Sequence, residues 1–227
     1  MILAIIPARI GSKRIRQKNI INFLGKPMIY WTIKAAKQSK IFDYIFVSTD
    51  SIKIARISKE CGAKVPFLRS KNISDDKTSV HKVTVHSLKL LQKKLNCKFD
   101  TVVQLMPNCP LRKSNDIISA YNIFKKKKYK FLISCSKFFM TNPWWAFKVK
   151  KNDIAQMIFP NNWKKRSQDF KELYAPTGAI WIANVKNLLK ENTFYGKGFR
   201  VFKLDLKSAV DIDDINDLNL AKVISKL

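Results

Sequence analysis

The stretch from Ile2 to Asn19, Ile-Leu-Ala-Ile-Ile-Pro-Ala-Arg-Ile-Gly-Ser-Lys-Arg-Ile-Arg-Gln-Lys-Asn, decides the fold. Ile2 to Ile6 form an unbroken apolar run too short for a helix, which reads as a strand buried on both faces of a parallel sheet. Pro7 ends it. The loop beyond holds Arg9, Gly11, Ser12, Lys13, Arg14, Arg16 and Lys18. Five cations and a hydroxyl therefore stand at the carboxyl end of a buried strand, where open α/β sheets bind ligands. Gly11 permits a turn and a close backbone approach, and converging cations suit a polyphosphate. A plain basic surface loop is the alternative, but the glycine and the charge cluster in this strand context favour phosphate.

Outward from that loop the pattern alternates. A helix is predicted over residues 28–38, with Met28, Ile29, Ile33 and Ala36 on its buried side. A strand follows over 44–48, then a helix over 51–61 ended by Gly62. Strand and helix alternating at this spacing predict right-handed βαβ units and an α/β, doubly wound, mostly parallel sheet. Asp50, at the end of the second strand, reads equally as a helix N-cap or as a ligand contact. A short strand over 64–68 leads to Arg69, and Ser79 stands at the entrance of a long helix to about Leu95, where amide groups attract anions. Another strand is expected over 101–106, a helix capped by Ser114 to about Phe124, and a buried strand over 131–136.

The pattern then changes. Residues 142–149 and 154–159 read as two antiparallel strands joined by a polar turn, carrying the aromatic load of Trp144, Trp145, Phe147 and Trp163. Such residues are typical interface anchors; burial against their own domain is the alternative. A strand over 178–183, a short helix over 185–190, a strand over 200–206 and a helix to Leu227 complete the chain. Before that last helix, Asp211 and Asp213 flank Ile212, an arrangement that sets both carboxylates on one face of an extended segment. Beside a triphosphate, such a pair suits magnesium. Capping the helix is the alternative role, and it is favoured for Asp214.

The formal charge is +28, from 44 basic and 16 acidic residues. Because 36 of the basic residues are lysines spread over nearly every segment, this reads as a compositional bias and not as a nucleic-acid footprint. The eight arginines are more telling, since Arg9, Arg14, Arg16, Arg69, Arg112 and Arg166 fall in loops that read as site loops. His81 and His86 read as packing or surface residues, and Cys109 as a packing residue rather than a nucleophile. No apolar run approaches the length of a membrane span, and Cys61, Cys97, Cys109 and Cys135 are widely spaced. A cytoplasmic protein with reduced thiols and no membrane partner is the expectation.

Several motifs carry a resemblance. Pro7-Ala8-Arg9-x-Gly11-Ser12-Lys13, with Lys18-Asn19 and Gly25-Lys26-Pro27-Met28, resembles the opening signature of the sugar cytidylyltransferases that activate sialic-type acids, the acylneuraminate and legionaminate enzymes. Arg69 and the Asp76 to Ser79 segment resemble that family's second nucleotide loop, and Val210-Asp-Ile-Asp its acidic motif. Departures are Ile10 for a glycine, Met106 for a glutamine, Asn108 and Cys109 for a Thr-Ser pair, and Ala175 and Thr177 for Arg and Asn.

The resemblance implies a single Rossmann-like nucleotidyltransferase domain over 1–227, with a dimerisation insertion at 138–165 that pairs two subunits into a homodimer. It implies nucleotide contacts from Ala8, Arg9, Gly11, Ser12, Lys13, Lys18, Asn19, Arg69, Asp76 and Ser79. Sugar contacts would come from Asn108, Arg112, Arg166, Gln168 and Gly178, catalytic roles from Arg9, Lys18 and Asp211, and magnesium (Mg2+) ligation from Asp211 and Asp213. The implied substrates are CTP and an acidic nine-carbon sugar of the sialic or legionaminic type, giving the CMP-sugar and pyrophosphate. Pseudaminate or 3-deoxy-manno-octulosonate is the alternative acceptor. A basic nucleic-acid-binding protein, or a silent paralogue that keeps only nucleotide binding, are the other readings.

Overall fold

The computed structural model describes residues 1–138 and 141–227, so residues 139 and 140 of the expected 138–165 insertion lie outside it. In chain order the elements open with β1 (Ile2–Pro7), the hairpin β2 (Asn22–Phe23) and β3 (Lys26–Pro27), α1 (Met28–Ser39), β4 (Tyr44–Ser48) and α2 (Ile52–Glu60). They continue with α3 (Val80–Leu95), β5 (Thr101–Gln104), α4 (Ser114–Lys126) and β6 (Phe131–Lys137). The excursion contributes β7 (Phe147–Val149) and β8 (Ala155–Met157), and the chain closes with β9 (Tyr174–Asn184), α5 (Val185–Glu191), β10 (Arg200–Lys203) and α6 (Ile215–Ile224).

Six strands make one sheet in the order β10-β6-β9-β5-β1-β4, parallel except for β9, which runs antiparallel to both neighbours. The alternation within β1 explains the layers. Ala4 and Ile6 face Ile29 and Ile33 of α1 and Ile54 of α2, with Ile117 and Ala120 of α4 in the same cluster. Leu3 and Ile5 join Val85, Leu88 and Leu91 of α3 and Leu188 of α5 on the other face. Both faces of the strand are covered, which is why its sequence is continuously apolar. From β1 the chain goes one way to β4 and returns on the other side as β5, so loops part at the carboxyl end of β1.

Three local expectations are corrected. Residues 64–68 do not form a strand, because only Lys64 makes a single parallel bridge, to Phe46. Ser114 is the first helical residue of α4 and not its cap; the start is closed by Asp116, whose carboxylate accepts the Lys113 amide at 2.8 Å. Asp50 caps nothing either, since the Ser51 hydroxyl accepts the Ile54 amide at the head of α2. Asp214 does cap α6, in a reciprocal box with Asp217.

The antiparallel course of β9 matters for the site. Its first residues lie at the same end of the sheet as the carboxyl ends of β5 and β6, which brings Gly178 beside Met106.

Candidate active site

A cleft of about 270 Å³ opens at the carboxyl ends of β1 and β5. Arg9, Ser12, Arg14, Lys18 and Asn19 line one side, Arg69, Asp75, Asp76 and Thr78 another. Met106, Asn108 and Asp213 form the floor and far edge, and Ile73, Val80 and Val83 give an apolar wall.

The basic loop is fastened by its own backbone. The Ile10 amide donates to Asp50 Oδ1 at 3.0 Å, the Ala8 amide to the Ser48 carbonyl at 2.9 Å, and Asn19 Nδ2 to the Arg9 carbonyl at 2.8 Å. Ala8 is buried behind the loop. Gly11 is not in the left-handed region, and a Cβ there would meet no atom within 4 Å, so the expected need for a glycine is not visible in this conformation. The left-handed turn falls instead on Gln17, at φ 53°, just before the turn that presents Lys18.

Two carboxylates hold four of the loop's cations. Asp76 pairs with Arg9 and with Lys13, each at 2.5 Å. Asp213 pairs with Arg14 at 2.6 Å and Lys18 at 2.8 Å, and Lys18 also donates to the Ile212 carbonyl. Hydrogen bonds from Lys13 and Arg9 hold the Asp76 carboxyl below the usual carboxylate range. For Asp213, partial burial pushes upward, but the bonds and charges of Lys18 and Arg14 outweigh it and leave the carboxyl low. Arg16 is exposed and takes no place in the cleft.

Asp211 and Asp213 do converge. Asn108 Nδ2 donates to a carboxylate oxygen of each, at 3.3 Å for Asp213. Burial, and then the like charge of Asp213, push the Asp211 carboxyl up to about 6. One side of Asp211 stays open to solvent, which tempers that shift. Gly178 leaves room for Met106 beside it, because a Cβ at that position would lie 3.0 Å from Met106 Cγ, whereas its 3.4 Å to Asp211 Oδ2 would be ordinary contact.

Among the described residues Asn108 Oδ1 is buried and finds no hydrogen-bond partner. Among the described residues no three His, Cys, Asp or Glu side chains gather into a metal cluster. A pair of carboxylates beside an orphan amide oxygen is nevertheless the hard-oxygen set that magnesium takes when substrate phosphates and water complete its shell.

Other expected site residues are placed elsewhere. Arg112 is fully enclosed, donating to the Ala179 carbonyl at 2.6 Å and the Thr32 hydroxyl at 2.8 Å, and burial lowers its pKa to about 10. It is a strut under the cleft and not a sugar contact. The Ser79 hydroxyl caps α3 by accepting the Lys82 amide, and Ser79 does not line the cleft. Arg166 forks onto Asp169 at 3.1 Å, and Gln168 lines a separate hollow with Asn142, Trp145 and Phe170. Arg69 lines the cleft with its Nε bound to Ser74 Oγ at 3.0 Å, and burial lowers its pKa. Asp50, read from sequence as a helix N-cap or a ligand contact, holds the basic loop through the Ile10 amide, and Asp75, which shapes the second loop, is missed by the sequence reading although its pairing with Asp76 is a signal for it.

A family model of cytidylyltransferases matches residues 3–221. The chain belongs to the cytidylyltransferase family. It is 38% identical over 225 residues to the pseudaminic acid cytidylyltransferase of Campylobacter jejuni, covering 99% of this chain and 96% of that one. It is 33% identical over 229 residues to the CMP-N,N'-diacetyllegionaminic acid synthase of Legionella pneumophila, covering 100% and 97%. Against the N-acylneuraminate cytidylyltransferase of Escherichia coli it is 31% identical over 226 residues, covering 99% of this chain and 52% of the other. A solved CMP:2-keto-3-deoxy-manno-octonic acid synthetase complexed with CTP has the same fold, at a TM-score of 0.72 and 16% identity over 99% and 98% of the two chains. For this cytidylyltransferase the cationic loop, the apolar wall and Asp213 thus line one cleft at the switch point of the sheet, with Asp211 tied to it through Asn108, while its aromatic excursion lines a separate hollow.

Proposed function

We propose that the protein transfers CMP from CTP to the anomeric hydroxyl of a nonulosonic acid and releases pyrophosphate. The observation that carries this reading is the gathering of Arg9, Arg14, Lys18 and Asp213 in one cleft, which Lys13 reaches through its pair with Asp76 and Asp211 through its bond from Asn108. The sugar oxygen bonds to the α-phosphorus as the bond from that phosphorus to pyrophosphate breaks, and the hydroxyl proton passes to water. The four cations neutralise the leaving group. Asp211, Asp213 and Asn108 would hold magnesium, which when bound supplies a Lewis acid for the phosphates.

A pseudaminic-type acid is placed ahead of the sialic and legionaminic types, because 38% identity to the pseudaminic acid enzyme exceeds the 33% and 31% to the other two. We further propose a homodimer formed through the insertion, on the ground that Phe147, Val149, Ile154 and Trp163 are exposed together. A cytoplasmic location fits the four free cysteines, and no helix among the described residues is long and apolar enough to cross a membrane.

The test is pyrophosphate release from CTP and magnesium with pseudaminic, legionaminic, N-acetylneuraminic and 3-deoxy-manno-octulosonic acids in parallel. Turnover with pseudaminic acid at the highest kcat/KM is expected. No release with any of the four would remove the reading.

A further inference from the structure

Asp213 belongs with the acid pair, but Asp76 has no comparable part in the chemistry and still takes two of the four cations. Its segment is built to deliver it. Asp75 Oδ1 accepts the amides of Lys77 and Thr78 at 2.6 Å each, and Asp75 Oδ2 accepts the Thr78 hydroxyl at 2.9 Å. That turn, an Asx type, is closed locally and rests against the capped start of α3. Asp75 is thereby used up in shaping the turn, while the next carboxylate reaches across the cleft to Arg9 and Lys13.

Asp76 thus occupies the position of an anion between two cations at the cleft mouth, and it lines the same cavity. A negative charge at that point is hard to reconcile with direct contact to phosphates, since like charges repel. The side chains of Asp76 and Lys13 are 37% and 79% exposed, so the pairs themselves contribute little stability and are easily exchanged. A ligand bearing several negative charges at short spacing can displace such a carboxylate. Until it arrives, the carboxylate keeps two flexible side chains gathered over the cleft.

We propose that Asp76 is a positioning residue, a resident anion that gathers Arg9 and Lys13 over the cleft and competes for them with the polyphosphate of the nucleotide and with product pyrophosphate. The proposal rests on reading the cleft as the CTP site. Its consequence is that removing the charge tightens polyphosphate binding in the ground state, while pyrophosphate leaves more slowly. A nucleotide-contacting Asp76 predicts the opposite sign for binding.

The experiment is calorimetric titration of pyrophosphate and of CTP, without sugar, into wild type, Asp76→Asn, Asp76→Glu and Glu60→Gln. Glu60 lies on α2 with Arg56 as its partner, so its substitution makes the same change in net charge away from the cleft. For Asp76→Asn, both affinities are expected to rise by about tenfold, the scale of a lost close charge competitor. Asp76→Glu and Glu60→Gln should stay within about threefold of wild type. An equal gain in Glu60→Gln would mean that net charge is responsible and would overturn the proposal, as would unchanged or weaker binding by Asp76→Asn. Were wild type to bind neither CTP nor pyrophosphate, the reading of the cleft would fall and the proposal with it; binding by wild type without a gain in Asp76→Asn overturns the proposal alone.

Discussion

In the basic loop, Arg9, Lys13, Arg14 and Lys18 each meet a carboxylate of their own chain, whereas in the excursion Phe147, Val149, Ile154 and Trp163 stand 54%, 66%, 60% and 64% exposed. The first region is complete within one chain. In the second, only the inner side is closed: Trp144 stacks on Phe170 at 6.1 Å, meets Phe159 edge-on at 5.1 Å, and donates its indole N–H to the Lys171 carbonyl. The difference is one of physics. Charges on a loop can be neutralised by neighbouring acids and released again when a ligand brings its own, whereas exposed apolar area remains unfavourable at about 25 cal/mol per Å² until another surface covers it.

The strongest way to test the first half is Arg9→Ala. Removing one preorganised cation should lower kcat by about a hundredfold while circular dichroism stays that of wild type. Full activity in that variant would leave the loop without a catalytic part.

For the acid pair, Asp213→Asn and Asp211→Asn should each raise the magnesium concentration at half-maximal activity by about tenfold, because an amide keeps the shape but loses the charge that holds the ion. Direct titration of manganese by its paramagnetic relaxation reads the same loss without turnover. Equal metal dependence in all three proteins would assign the pair a purely structural role.

The second half is tested by Phe147→Ser combined with Trp163→Ser, which should shift a dimeric protein to monomer in sedimentation while CTP affinity changes by less than about threefold. A wild-type monomer, or a variant that loses CTP binding equally, would break the comparison.

The smallest effect concerns Asp211. Its carboxyl is raised from 3.8 to about 6 in the folded chain, so the folded state binds the extra proton and stability falls as pH rises between those two values. Asp211→Asn removes that penalty. Without nucleotide or metal its Tm at pH 7.5 should exceed that of wild type, by no more than about 3 °C because solvent reaches the group. A lower Tm would show that the Asn108 contact to Asp211 outweighs the repulsion from Asp213.

Much of the fold was legible because its signals are local. The run Leu3 to Ile6 announced a strand covered on both sides, and the spacing of Met28, Ile29, Ile33 and Ala36 gave α1 its buried face; all eight are buried. The aromatic segment showed itself as a hairpin through its polar turn, and β7 pairs with β8, but the expected strands over 142–149 and 154–159 shrink to three residues each because Pro143–Trp145 forms a 3-10 turn closed by the Asn142 side chain. Residues 64–68, Lys-Val-Pro-Phe-Leu, misled because their apolar side chains outweighed Pro66, which has no N–H to continue a ladder beyond the single bridge of Lys64. Arg112 misled for another reason. A motif states which residue is present, not whether its side chain turns out to a ligand or in to carbonyls left open by a bend.

What the sequence by itself determined is therefore the class of sheet, the place of the basic loop at the end of its first strand, and the acid pair around Ile212. What only the tertiary structure decided is who holds whom: Asp213 on Lys18 across 195 positions, Asp76 on Arg9 and Lys13, Asp50 on the Ile10 amide, Arg112 on Ala179 and Thr32. Periodicity and turn chemistry act over a few residues and can be read along the chain. A salt bridge or a buried hydrogen bond depends on distance in space, and that is set by the order of strands in the sheet and the layers packed on it, which no local pattern encodes.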